Sequence, residues 1–523
     1  MKRYNIFNLF SPNTLSCTLS MSAGIIALIY YVSWWVSALS VGTFPQFMYI
    51  LGLLVALLYT GTQFLGPWII YMAACWHKNE QPEPLAEMPS VDVFIPIYKE
   101  SYAIVERTLR AACEMKGEHR TWLLDDDPGF DKHGNNQMQD LALKLGTEYL
   151  PHMKREGNKP GNINHALQHA NGDIIVIFDV DHTPESNFLE ESLPHFADPQ
   201  IGFVQVMLSF RNNNDSWVAR SAADASLDFY NPTSLGLDAL GSATKMGTNI
   251  LMRRIAIDSL GGYQYGLADD LSTSLALHAN NWKSAYVAEP LAPGLIPSDL
   301  ISWFTQQLKW ARGVFEIQLT EYPKLFSRLT LAEKLSYGVR VTYYWAGPII
   351  AIHLAATLFC LFFGSSSLRL AFQNYLWHLI PLGLSSILIR RYATKRWLHP
   401  KVSGSGDLIG ATSLVYATWP VYLAAWIMAL LRRPLPFILT PKEKSGALNL
   451  VWLLPQILTS VALIIGTIYA LLSFPLQEIW MTLLWAMAQT IPMVVLIWRW
   501  YCEFKEVHRA TPKVSKPPVN KPR

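Results

Sequence analysis

Charge is scarce in this chain. Only 15% of its residues are Asp, Glu, Lys or Arg, against about 25% in ordinary soluble domains, and that excludes a conventional soluble enzyme. The formal net charge of +3 is too small to direct the chain to nucleic acid. Cysteine is nearly absent too. Cys17, Cys75, Cys113, Cys360 and Cys502 are scattered, with neither metal-ligand spacing nor a disulfide framework, and read as core or lipid-facing residues. No internal repeat is visible, and only the Pro- and Lys-rich tail Thr511–Arg523 reads as disordered.

What the chain does have is apolar length. Hydrophobic residues make up 51% and include 19 Trp. Stretches at Ala23–Val41, Phe47–Ala74, Val341–Phe363, Ala371–Ile389, Leu450–Leu472 and Ile479–Trp498 are each long enough for a bilayer core, which needs roughly 20 residues. The first starts too deep and lacks a small-residue cleavage site, so it reads as a retained helix. Basic pairs Arg390-Arg391, Lys395-Arg396 and Arg432-Arg433, with the tail from Lys505, mark the cytosolic side. A seventh apolar stretch, 408–431, lies between two of these basic segments. It should not cross an odd number of times, and with its Trp419-Pro420 break it reads as interfacial. The expected organisation is an N-terminal region with two spans (1–85), a soluble domain (86–335), a four-span membrane domain (336–500) and a basic cytosolic tail (501–523), with the lipid bilayer as partner.

The soluble region alternates short apolar runs with helical patterns. Val91–Ile95, Thr121–Leu124, Ile174–Phe178 and Ile201–Val206 read as strands, with helices near Ser101–Met115, Asp140–Leu145 and Asn162–His169. Apolar strands alternating with helices predict an α/β domain with a mostly parallel sheet covered on both faces. Ligands of such sheets sit beyond the carboxyl ends of the strands. That edge collects Tyr98 and Glu100, the run Asp125-Asp126-Asp127, and Asp179 with Asp181.

Asp179-Val180-Asp181 leaves the buried strand with two acids one residue apart, on one face of extended chain. Oxygen ligands of this kind suit Mg²⁺ or Mn²⁺ bridging to a substrate diphosphate, although an acidic strand-to-loop turn can carry the same letters without metal. Three more groups carry candidate chemistry. Asp269-Asp270 is either an acidic helix start or a general base, most simply Asp270. Gln306-Gln-Leu-Lys309-Trp310 is either a membrane-surface helix or a cation for diphosphate with a flat face for a sugar ring. Lys159-Pro-Gly-Asn-Ile-Asn-His165 is a capped helix or an anion site.

In order, Asp125-Asp126, Asp179-Val180-Asp181, Asp269-Asp270 and Gln306-x-x-Lys309-Trp310 resemble the Asp-Asp, Asp-x-Asp, Thr-Glu-Asp and Gln-x-x-Arg-Trp of the processive family 2 glycosyltransferases, which include bacterial cellulose synthases. Pro96–Glu100, Lys159–His165, Gly247–Arg254 and Phe437-Ile-Leu-Thr440-Pro-Lys442 are similar to further family segments. The resemblance implies a GT-A-like cytosolic domain inserted in an α-helical membrane domain of about six spans plus interfacial helices. It implies a UDP-sugar donor, a growing glycan acceptor and Mg²⁺ or Mn²⁺, with an accessory export subunit possible. Tyr98, Glu100, Asp125 and Asp126 would border uridine with Lys159 beside it, and Asp179 and Asp181 would hold nucleotide and metal. Asp270, with Asp269, would supply the base. Gln306, Lys309 and Trp310 would meet diphosphate and acceptor, and Phe437, Thr440 and Lys442, in a loop at about 432–445, would close over the donor.

Three departures, Ala268-Asp269 for Thr-Glu, Lys309 for Arg, and Met246 where cellulose synthases usually carry Cys, bear on the polymer more than on the reaction class. No room for a cyclic-di-GMP-binding PilZ domain is expected after the last span. The expected reaction is a single inverting displacement that makes and exports a β-glucan, UDP-glucose being the expected donor. The competing expectations are single-sugar transfer to a lipid and a catalytically inactive membrane or transport protein.

Overall fold

The computed structural model describes residues 12–38, 44–76, 82–131, 134–154, 156–364, 372–402, 404, 406–435 and 448–510. Phe437, Thr440 and Lys442 lie outside the described residues, so the expected gating loop is not among the structural observations.

A seven-stranded sheet forms the centre of the region between residues 91 and 287: β1 Val91–Ile97, β2 Arg120–Asp125, β3 Glu148–Pro151, β4 Ile174–Ile177, β5 Ile201–Val206, β6 Ile250–Arg253 and β7 Lys283–Val287. The order is β3-β2-β1-β4-β6-β5-β7. β6 runs antiparallel to both neighbours, and every other pairing is parallel. This is the mostly parallel, GT-A-like mixed sheet the sequence predicts, with three short strands added. β3 and β7 begin with Glu148 and Lys283 and β6 ends in Arg253, so none shows the unbroken apolar run Ile174–Phe178 that marks the equally short β4.

Alternation fills both faces. On one side Val93, Ile95, Leu123, Val176, Phe178 and Val204 pack with Val105 and Leu109 of the Tyr102–Cys113 helix. On the other Phe94, Leu124, Ile175, Ile177 and Phe203 pack with Ile163 and Ala166 of the Asn158–Leu167 helix. Each such aliphatic or phenyl side chain contributes about 1.5–3 kcal/mol on burial. Asp92 is the polar exception within β1, and its carboxylate is structural. It accepts from Trp122 Nε1 at 2.8 Å, Gly172 N at 2.6 Å and Asn171 N at 3.1 Å, tying β1 to β2 and to the turn before β4.

Among the described residues, six helical stretches are long and apolar enough to cross a membrane: Leu15–Ser37, Ile50–Trp76, Leu331–Phe363, Leu408–Leu430, Leu450–Ser473 and Leu476–Glu506. The number agrees with expectation and the membership differs. The Phe372–Trp397 helix does not qualify, because Gln373, Asn374 and His378 dilute its first turns, whereas the expected interfacial stretch at 408–431 does. That stretch is two helices, Leu408–Ala417 and Trp419–Leu430. Pro420 has no N–H to continue the first helix. At the break, Gln456 Nε2 donates to Ala417 O at 2.9 Å, and Trp303 Nε1 donates to Thr418 Oγ1 at 2.9 Å.

Both ends of this broken pair are held, the first to the sheet region and the second to the Leu300–Leu319 helix. Asp407 N donates to Asp224 Oδ2 at 3.1 Å, and Arg312 donates to Arg433 O at 3.2 Å through Nη2. The segment after the Phe372–Trp397 helix is tied to the sheet region as well, through Arg390–Asp228 at 3.3 Å, His399–Glu289 at 3.1 Å and Lys401–Glu185 at 3.2 Å. One sequence reading is corrected. Cys17 and Cys75 are paired in a disulfide that joins the first two long helices, a contact between residues 58 apart that spacing alone did not announce.

Candidate active site

Three strand ends converge as the parallel sheet requires. After β1 the chain turns through Lys99 at φ 61°, with Tyr98 N donating to Glu100 Oε2 at 2.5 Å and Lys99 paired to Asp127 at 3.0 Å. At the end of β2, Asp126 N donates to Ile97 O at 3.0 Å, which locks the two strand ends together. Asp125 accepts from Tyr149 Oη at 2.7 Å, and burial raises its carboxyl above the usual range despite that bond. Asp126 is buried, with its Oδ1 2.8 Å from His152 Nδ1. His152 in turn stacks on His165 at 5.0 Å between ring centres.

Beyond β4, Asp179 N donates to Thr248 Oγ1 at 2.8 Å. Its Oδ1 accepts from Lys159 Nζ at 2.5 Å, and the same ammonium donates to Gly247 O at 2.6 Å. Burial pulls Lys159 down, but the carboxylates of Asp179, Asp269 and Asp270 outweigh it and the group is raised overall. Lys159 therefore stays charged and joins the Asp-x-Asp strand end to the loop before β6.

Asp181 is 1% exposed, and its neighbour His182 is also buried. Asp179, Asp181 and His182 offer ligand atoms within 4.8 Å of one another. Two carboxylates and an imidazole form a hard, mixed oxygen and nitrogen donor set of the kind that takes a divalent first-row cation. Gly294 makes room for His182. A Cβ at that position would stand 2.2 Å from the imidazole Nε2, so no side chain fits without moving the ring. Arg211 closes the turn, donating to Asp181 O at 2.6 Å and Pro293 O at 2.7 Å. The sequence reading named the two aspartates and missed His182, although its adjacency to Asp181 was the available signal.

Asp269 and Asp270 begin the Asp269–Ala279 helix. Asp270 Oδ1 accepts from Leu271 N at 2.8 Å. Burial first, and Asp269 second, raise the Asp270 carboxyl above its ordinary range, against lowering by the Leu271 N–H, Arg340 and Lys245. A Cβ on Gly247 would lie 4.0 Å from Asp270 Oδ2, so the acid pair stands beside the same loop that Lys159 grips. Gly313, on the Leu300–Leu319 helix, meets the backbone leading into the pair. A Cβ there would lie 2.7 Å from Ala268 N, and only a bare backbone allows that approach. One helical turn back are Lys309 and Trp310, the latter 39% exposed, and two turns back is half-buried Gln306. Buried Gln307 between them accepts from Tyr422 Oη at 3.0 Å and fixes the helix against Trp419–Leu430.

The structure thus places Tyr98, Glu100, Asp125 and Asp126 at and just beyond the ends of β1 and β2, joins Asp179 through Lys159 to the Gly247 loop beside Asp270, and sets the helix that carries Gln306, Lys309 and Trp310 against the lead-in to Asp269 and Asp270 at Gly313. Carboxylates and a lysine gathered at the strand ends of a mostly parallel sheet are groups that can hold a divalent cation and take a proton. Residues 89–313 match the family model described as glycosyltransferase like family 2.

The chain is 28% identical over 408 residues to a cellulose synthase catalytic subunit (UDP-forming) of Pseudomonas fluorescens strain SBW25, covering 74% of this chain and 53% of that protein. It is 30% identical over 331 residues to the corresponding subunit of Xanthomonas axonopodis pv. citri strain 306, covering 60% of this chain and 44% of that one. It spans about half the length of these relatives. Among solved structures, a mannosyltransferase from Pyrobaculum calidifontis, in complex with GDP-Man and Mn²⁺, aligns with a TM-score of 0.49 at 16% identity over 73% of this chain and 99% of that one.

Proposed function

We propose that the protein is a membrane-embedded, inverting, processive glycosyltransferase that polymerises a UDP-hexose, UDP-glucose in the first instance, into a β-glucan and passes it across the membrane. The observation that carries the reading is the Lys159 bridge. Its Nζ is bonded at once to Asp179 Oδ1 and Gly247 O, so a fixed cation lies between the Asp-x-Asp strand end and the loop beside Asp270. Attack on C1 of an α-linked nucleotide sugar needs a carboxylate to take the acceptor proton and positive charge where the diphosphate leaves. Asp270 fills the first role, and Lys159, with Lys309, the second. Asp126 and Tyr98, at the ends of β2 and β1, border the uridine. A Mg²⁺ or Mn²⁺ ion held by Asp179, Asp181 and His182 would supply further charge against the leaving diphosphate.

The polypeptide ties support a topology. The segments around residues 390–401 and the start of the 407–433 stretch bond to the sheet region, and its end bonds to the Leu300–Leu319 helix, which supports a path that leaves in Ala346–Phe363 and returns in Phe372–Trp397, although the latter is the less apolar helix. The broken pair then lies along the domain rather than crossing, which makes six crossings with the catalytic domain and both termini cytosolic. The proposed domain bounds remain 1–85, 86–335, 336–500 and 501–523, with Phe437, Thr440 and Lys442 proposed as a loop that closes over the donor.

Trp310 supports processivity, because an indole left 39% exposed, on the helix that meets the lead-in to Asp270 at Gly313, suits the C–H face of an acceptor sugar. Purified protein given UDP-glucose and Mn²⁺ should make a glucanase-sensitive polymer. Trp310→Ala should shorten it to oligosaccharides while leaving UDP release within roughly tenfold, on a stacking contribution of about 1–1.5 kcal/mol. Size-resolved product analysis reads both. A single hexose on a lipid acceptor would replace the processive reading with single transfer.

A further inference from the structure

Arg211 is a charged group that the proposed chemistry does not use. The chain from Ser209 to Arg211 runs beside Gly294: Gly294 N donates to Ser209 O at 2.8 Å, and Arg211 N donates to Gly294 O at 3.0 Å. From there the Arg211 side chain turns back to the Asp-x-Asp strand end. Its Nη1 lies 2.6 Å from Asp181 O, 2.7 Å from Pro293 O and 3.2 Å from Thr183 Oγ1, and Thr183 N donates to Pro293 O at 3.2 Å. One guanidinium therefore fixes the main chain of the 181–183 turn against the 293–294 segment that bounds the His182 ring.

That ring depends on its seat. His182 is 5% exposed, and neither of its nitrogens has a hydrogen-bond partner among the described residues. Asp181 Oδ1 stands 3.6 Å from Nδ1, beyond hydrogen-bond reach. A buried imidazole in this state costs stability, and a cation shared with the two carboxylates would use one of its nitrogens. Histidines that bind metal are ordinarily oriented by a hydrogen bond on the other ring nitrogen. Here steric fit takes that part, because a Cβ on Gly294 would stand 2.2 Å from Nε2. The position of the 293–294 segment thus sets the ring, and Arg211 sets the segment.

We infer that Arg211 is a positioning residue for the cation, a clamp that holds the Asp181–Thr183 turn against Gly294 so that Asp179, Asp181 and His182 close on one divalent ion. The inference rests on the proposal that these three residues hold Mg²⁺ or Mn²⁺. Charge alone gives the opposite sign. A guanidinium beside the turn repels a divalent cation, so a purely electrostatic role predicts tighter metal binding once the charge is removed, whereas loss of the clamp predicts weaker binding.

The test titrates Mn²⁺ into chelator-treated full-length protein in detergent, without any UDP-sugar, and reads free Mn²⁺ by electron paramagnetic resonance. Arg211→Met should weaken binding about 10- to 100-fold, the range for loss of a group that supports metal ligands. Arg211→Lys keeps the charge and a donor on a flexible stem without the rigid fork, and its affinity should fall between those of Arg211→Met and wild type. UDP release by Arg211→Met should follow the same shift, lost at low Mn²⁺ and recovered at high Mn²⁺, which a variant that is merely less stable would not show. Affinity equal to or tighter than wild type in Arg211→Lys, and in Arg211→Met where that variant folds, would overturn the inference, as would a wild-type protein that binds no Mn²⁺. Weaker Mn²⁺ binding by the variants of a protein that releases no UDP from any UDP-sugar would uphold it while refuting the transferase reading.

Discussion

Asp270→Asn should lower turnover by about 10³-fold, within the range for removal of a general base, while UDP binding measured by calorimetry stays within a few-fold of wild type. Asparagine keeps the shape and the bond from Leu271 N at 2.8 Å but cannot take a proton. The wild-type pH profile carries the same signature. Burial and Asp269 raise the Asp270 carboxyl, and the base works only when deprotonated, so turnover should fall as pH drops through that raised value. The acidic limb therefore lies above the ordinary carboxylate range, and below it the rate falls tenfold per pH unit. Comparable loss of UDP binding in Asp270→Asn would move this residue from proton transfer to donor recognition.

Asp181→Asn is expected to have the second-largest effect, a loss of roughly 10²-fold or more in metal-dependent turnover. Asp181 is 1% exposed, with Oδ1 3.6 Å from His182 Nδ1. An amide in its place keeps the volume, removes one negative charge from the donor set and weakens its hold on a divalent cation. Titrating Mn²⁺ or Mg²⁺ into chelator-treated protein should show half-maximal activity at a much higher metal concentration in the variant. Full activity in excess chelator, or an unchanged metal requirement in Asp181→Asn, would remove the cation from the account.

The parts of this site legible in the sequence were those that local pattern marks. Apolar runs ending in acids gave β1, β2 and β4, and parallel topology then required Tyr98, Asp126 and Asp179 to share an edge. β6 escaped because Ile250–Arg253 is four residues long and antiparallel, yet it matters, since the loop before it carries Gly247 and Lys245. Lys245 itself was illegible. A lysine reads as exposed, and only tertiary packing, the Tyr263 ring beneath its ammonium included, makes it buried. His182 and Arg340 were missed for related reasons: the first needs Gly294, more than a hundred residues later, and the second sits in a helix that reads as the approach to a membrane span. The 408–431 stretch marks the limit of hydropathy. Its composition and length match a span, and the proposal that it lies along the domain rests on its break at Thr418 and the bonds at its two ends.

The measurement that bears most directly on the account is UDP release by the purified protein across a panel of UDP-sugars, with and without Mg²⁺ or Mn²⁺. The account predicts metal-dependent release with one UDP-hexose, UDP-glucose foremost, and its loss in Asp270→Asn. The absence of UDP release with every UDP-sugar in the presence of metal would contradict it.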